Sequence, residues 1–162
     1  RPLRCAVRPP RVPAQWACSA PTRCGVGKVA QSAVKVVAHL HSSGMALSLV
    51  AVEISTGRRH QIRAHTSHVG HVTVRDGTYA TFETYANDGP DHLGFAQNAL
   101  HRYRLTFIAN DHQSHEVIYI PKNLALQLMD LTPKCAASAV ALQSFLQQPC
   151  SWAEVMSIEK KR

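Results

Sequence analysis

Acidic side chains are almost missing from the first 75 residues: Glu53 stands alone there, with no aspartate and no tyrosine. That half therefore offers one carboxylate for nucleophilic or acid–base work, and Glu53 lies in the middle of an apolar run. Eleven Lys/Arg against the single acid give it a net charge of +10. Residues 76–162 carry seven Lys/Arg and nine acids, a net of −2, so the +8 of the whole chain sits in its first half. Such asymmetry points to a polyanion bound through one side. The five cysteines include no CxxC pair and no zinc-type quartet, and their odd number and wide spacing predict reduced, structural thiols in a non-secretory compartment. No apolar run reaches membrane-span length, so a soluble chain or a member of an assembly is expected, with no membrane partner. There is no internal repeat, and 162 residues leave room for one core plus tails.

What the sequence does hold is a dense basic stretch, Ser55-Thr56-Gly57-Arg58-Arg59-His60-Gln61-Ile62-Arg63-Ala64-His65, running on to Gly70-His71. An apolar run from Met45 to Ile54 leads into it as a buried strand, and Thr56-Gly57 breaks that strand. Ile62, Thr66 and Val69 then recur at helical spacing, with Gly70 at the position of a helix C′ residue. The pattern predicts strand, glycine turn and short helix, with Arg58, Arg59, His60 and Arg63 in the first helical turn. Unpaired N–H groups and the positive end of the macrodipole gather there, so the arginines predict an anion site, phosphate being the expected anion. His60, His65, His68 and His71 lack the i, i+4 spacing of a helical metal site, and no metal is expected.

Along the chain, residues 1–27 hold five arginines, five prolines and no acid. They read as a basic arm unable to fold alone, either an organellar transit remnant or a segment that lies along RNA, with Arg8 and Arg11 as contacts. The chain starts at Arg1 rather than Met, and the expectation is that an upstream piece was removed or not included. Residues 28–132 read as the folded domain. Ala33–Ala38 and Ala46–Ile54, joined by His41-Ser42-Ser43-Gly44, predict an antiparallel hairpin. Residues 71–79 read as a short extended piece ending in an Asp76-Gly77 turn, and residues 81–98 as a polar surface loop. Residues 99–108 and 116–120 predict a strand pair with Leu100, Leu105 and Phe107 inward. Residues 123–131 predict a helix with Leu124, Leu128 and Leu131 on one face. Residues 133–162 read as a helical extension, 135–148 then 152–161, with Leu142, Phe145 and Leu146 as its apolar side.

The order Thr56-Gly57-Arg58-x-His60-Gln61-Ile62-Arg63-x-His65, then Gly70-His71, Asp76, Tyr79 and Leu100-His101, resembles the RluA-type pseudouridine synthases, over residues 27–132 or so. The resemblance implies a mixed α/β fold, of α+β character, with a largely antiparallel sheet and flanking helices, RNA as the ligand and no cofactor. In that family the signature's last arginine pairs with the catalytic aspartate, and by resemblance that arginine is Arg63. The family's nucleophilic aspartate lies upstream, in an Arg-Leu-Asp motif, and no aspartate precedes Asp76 here. Arg59, Val72 and Arg75 also replace the family's usual residues. Asp76 itself reads as a turn residue.

Three functions follow as expectations. The first is a catalytically inactive RNA-binding component of a ribonucleoprotein, such as a mitochondrial or other organellar ribosome. It would contact rRNA through Arg58, Arg59, His60, Arg63, His65 and Arg75, and neighbouring proteins would cover an open sheet edge left by a partial domain. The second is half of a split synthase whose aspartate comes from another chain. The third is a protein–protein adaptor. Outside an organelle the expected compartment is the cytoplasm.

Overall fold

The computed structural model describes residues 15–17, 30–88 and 93–147. Two apolar runs separated by a Ser-Gly turn form its central hairpin. Strands β2 (Gln31–Ser42) and β3 (Met45–Ile54) pair antiparallel from Ser32 opposite Ile54 to Ser42 opposite Met45, with a bulge between Val36 and Ala38. Ser43 and Gly44 close the hairpin with φ of 48° and 75°. Two consecutive left-handed residues make the type I′ turn, whose twist matches that of the strands. β1 (Gln15–Ala17) and β6 (Thr132–Pro133) both pair antiparallel with the other edge of β2, β1 at Gln31–Ala33 and β6 at Leu40–His41. No described strand pairs with the outer edge of β3.

Helix α1 (Gln61–His68) follows β3 and α2 (Phe82–Asn87) lies further on; then come the hairpin β4 (Arg104–Ile108) and β5 (Ser114–Ile118), α3 (Lys122–Met129), β6 and α4 (Ala136–Gln147). The architecture is mixed α/β with antiparallel sheets and flanking helices, as the resemblance implied. No described helix is long and apolar enough to cross a membrane.

The core forms where the far half of the hairpin meets the C-terminal helices. Ala38, Leu40 and Leu47 of the sheet pack with Leu128 and Leu131 at the end of α3 and with Leu142 and Phe145 of α4. Leu124 packs on the same cluster from the face predicted for it, and Leu146 from α4. Residues 136–147 thus share the core of the folded domain, so this part of the predicted extension is a structural layer of it. Ser138 of α4 binds it to the sheet, its Oγ accepting from His39 N at 3.1 Å. The second predicted helical piece, 152–161, lies outside the described residues, as does the basic arm apart from the backbone of β1.

Three expectations need correction. Residues 81–98 are no simple surface loop: they contain α2, and Leu93 and Phe95 are buried in the core. Polar composition concealed two single anchors, and one apolar side chain every few residues carries no period to read. Residues 71–79 form turns rather than a strand, because Asp76 draws backbone N–H groups onto its carboxylate. Leu100, Leu105 and Phe107 are exposed, about 44% for the latter two. Alternation did predict a strand, but among the described residues β4 pairs only with β5, and a two-stranded ribbon by itself buries little of its face.

Between the outer edge of β3 and α3 runs an apolar cavity of about 120 Å³, lined among others by Leu47, Leu49, Ile62, Leu100, Tyr103 and Leu124. The core places two α4 residues on opposite sides of a sharp test. Leu142→Ala should cost about 2–5 kcal/mol in urea denaturation, whereas Val140→Ala, on the exposed side of the same helix, should stay within about 0.5 kcal/mol of wild type. Equal losses at the two sites would contradict the packing described.

Candidate nucleic-acid interface

The basic stretch folds as strand, turn and helix, but α1 starts at Gln61 rather than three residues earlier. Arg58 and Arg59 therefore occupy the turn ahead of the helix, not its first turn, and His60 adopts a left-handed N-cap conformation with φ 56°. Thr56 and Gly57 end the strand, and the chain would wander there without an anchor. Gln61 supplies it. Its Oε1 accepts from Thr56 Oγ1 at 2.8 Å and from Arg58 N at 3.1 Å, while its Nε2 donates to Gln31 O at 2.7 Å and Ser32 Oγ at 3.0 Å. One buried amide with all four bonds made joins the turn to β2. His65, one turn along α1 and equally buried, places Nδ1 2.9 Å from the same Ser32 hydroxyl. Both residues serve the scaffold, so His65 stands apart from any surface contact.

The far end of α1 closes as the glycine predicted. Gly70 has φ 82°, its N–H donates to Ser67 O at 2.9 Å, and His71 N donates to Thr66 O at 2.8 Å. These are the two bonds of a Schellman motif, which needs a left-handed C′ residue.

With no upstream aspartate to meet it, Arg63 makes a bidentate pair with Asp76, Nη2 to Oδ1 at 2.5 Å and Nε to Oδ2 at 2.8 Å. Asp76 is fully buried. It also accepts from Thr78 N at 2.9 Å, Tyr79 N at 3.0 Å and Thr73 Oγ1 at 3.1 Å. Burial by itself would raise the Asp76 carboxyl, but the guanidinium, the two N–H groups and the hydroxyl outweigh it and hold the group far below the usual carboxylate range. The hydrogen bond to Asp76 likewise raises Arg63 above its ordinary value. Asp76 is thus both the turn residue expected and the partner of Arg63. With no exposed surface and five donors on it, it is no free nucleophile. The Arg63 guanidinium also lies 5.4 Å from the centre of the Tyr79 ring, which meets His60 edge-on at 5.9 Å.

Arg75 is engaged in a similar way. Its guanidinium stacks on Tyr85 at 4.2 Å and Nη1 donates to Tyr85 O at 3.2 Å, while its backbone N donates to buried Asp88. Arg58 and Arg59 differ from both. They are exposed, and neither forms an ion pair with any described residue. The stretch therefore divides into an inner set (Gln61, Arg63, His65, with Asp76) that holds the turn and an outer pair, Arg58 and Arg59, flanked by half-buried His60. Arg8 and Arg11 lie outside the described residues. The structural importance of Gln61, which lies between His60 and Ile62, went unread in the sequence.

No family model matches the chain. It is 32% identical over 84 residues to ribosomal large subunit pseudouridine synthase D of Zymomonas mobilis, covering 52% of this chain and 25% of that one. It is 43% identical over 56 residues to RNA pseudouridine synthase 5 of Oryza sativa subsp. japonica, covering 35% of this chain and 14% of that one. The chain thus spans a quarter or less of these curated relatives. Among solved structures, human RNA pseudouridylate synthase domain containing 1 matches 90% of this chain and 63% of its own, with a TM-score of 0.65 and 22% identity, a likeness of fold. The chain is related to the RluA-type pseudouridine synthases.

The Arg63–Asp76 pair sets an acid dependence. Because the folded Asp76 carboxyl is lowered, its contribution is complete above the unfolded value of about 4 and is lost as pH falls below it. Asp76→Asn leaves a partly buried guanidinium without its partner and should cost about 3–5 kcal/mol at neutral pH. Urea denaturation from pH 7 to 2 should show the gap to wild type narrowing below about pH 4; parallel curves would rule the pair out as a stabiliser.

Proposed function

We propose that this chain binds RNA through the outer pair of the basic turn and does not itself isomerise uridine. The observation that carries the reading is the contrast within one turn. Arg58 and Arg59 are exposed and without an acidic partner among the described residues, while the acid beside Arg63 is buried and saturated. Arginines held at the start of a helix by a buried glutamine are pre-organised for phosphate, since the turn is ordered before the ligand arrives. Base isomerisation of the kind named in the relatives would need a carboxylate with free oxygens against the uridine. Asp76 has none to offer, and residues 1–75 hold no other aspartate.

The reading extends to a structural role in a ribonucleoprotein, an organellar and specifically mitochondrial ribosome, with rRNA as the ligand. The charge of the first half and the Arg/Pro-rich composition of residues 1–27 support it. The edge of β3 that no described strand pairs with, and the apolar cavity lined by Leu47 and Leu49, support neighbouring proteins that cover them. A split synthase has one observation in its favour: Arg63 Nη1 is not used by Asp76 and lies 3.4 Å from His60 Nε2, so a carboxylate from another chain has a donor to meet.

Two measurements test the proposal. RNA affinity of the purified chain should fall steeply with salt, and Arg58→Ala with Arg59→Ala should flatten the log–log slope by about 1.4–1.8, the value for two phosphate contacts. An unchanged slope removes the pair from the interface. Uridine-to-pseudouridine conversion assayed by mass spectrometry should be undetectable with the chain alone; conversion by the chain alone defeats the inactive reading, and conversion only on adding a second chain establishes the split enzyme.

A further inference from the structure

Three aromatic residues follow Asp76 at intervals of three: Tyr79, Phe82 and Tyr85. Two of the rings are covered by guanidinium groups, Tyr79 by Arg63 and Tyr85 by Arg75. The third is not. Phe82 is 88% exposed, and no described aromatic or arginine side chain meets its ring.

We infer that Phe82 is a stacking platform for an unpaired base of the bound RNA. The inference rests on the RNA-binding reading above and names the form of RNA: single-stranded at this point. The ring stands on a rigid base. Thr81 caps α2, its Oγ1 accepting from Thr84 N at 3.1 Å, and Tyr85 N donates to Thr81 O at 2.9 Å. Ala80 N donates to Asp76 O at 3.1 Å, so the segment leading into α2 hangs from the residue that also holds Arg63. Tyr79, three residues before Phe82, touches both Arg63 and His60.

The surroundings favour a base over a protein partner. Thr81, Glu83, Ala86 and Asn87 are the exposed neighbours on α2, so the ring is not the centre of an apolar patch of the kind that anchors a protein interface. Glu83 is one acid beside it, set against Arg58 and Arg59 at the turn. An isolated exposed π-face three residues along the chain from Tyr79, which meets Arg63 and His60, suits a single strand, because every base has a face to stack.

The test uses the full chain and a 12-nucleotide oligouridine, with a hairpin duplex as the competitor. Phe82→Ala should weaken oligouridine binding about 5- to 150-fold and leave the salt slope and the melting temperature unchanged, since the ring carries no charge and packs on nothing described. Phe82→Tyr should restore affinity and Phe82→Leu should not, which separates stacking from apolar contact. Wild-type chain that binds oligouridine while Phe82→Ala binds equally well overturns the platform and leaves the basic turn standing. Restoration by leucine overturns it in favour of a protein-type contact. Wild-type chain that binds neither RNA defeats the RNA reading itself, and the platform with it.

Discussion

A carboxylate with no access to water is tolerable only when donors saturate it, and Asp76 meets that condition with five. Two of them come from α1, through Arg63. Two are backbone groups of its own turn, and the last is Thr73, whose hydroxyl accepts in turn from Asn98 Nδ2 at 3.1 Å. The carboxylate therefore ties the helix after β3, the turn at 76–79 and the approach to Leu100 into one body. Losing the Arg63 guanidinium would leave the charge buried without its counter-ion, and losing any other donor would leave it one hydrogen bond short.

That constraint sorts the basic residues. Six of them read alike in the sequence, because composition counts charge without showing where it is spent. Arg63 is spent on Asp76, Arg75 on Tyr85, and His65 on Ser32. What remains outward is Arg58 and Arg59, on a turn that Gln61 holds from beneath. The inner residues shape the surface that presents the outer ones, so in the proposed RNA-binding role replacing an inner residue would alter binding without that residue ever meeting a phosphate.

The parts of the fold legible in the sequence were those with a local cause. The β2–β3 hairpin, the glycine stop after α1 and the leucine stripe of α3 each follow from a periodicity or from a backbone position that only certain residues fill. The parts missed have distant causes. The Arg63–Asp76 pair spans thirteen positions and needs two turns to bring it together. Leu93 and Phe95 reach the core as single side chains from an otherwise polar segment. Leu105 and Phe107 alternate as buried residues do, but alternation records a shared face and says nothing of whether another layer lies over it. In the basic stretch, residues adjacent in sequence part company in the fold: Gln61 and His65 are buried, Arg58 and Arg59 exposed.

The outer edge of β3 brings a consequence of another kind, which concerns how the chain behaves in quantity. β3 holds no proline, and its one charged side chain, exposed Glu53, stands next to its last residue, so from Met45 to Val52 neither proline nor charge blunts the edge that no described strand covers. Pairing of such an edge with a second copy is second order in concentration, so its weight grows with the amount of chain and vanishes on dilution.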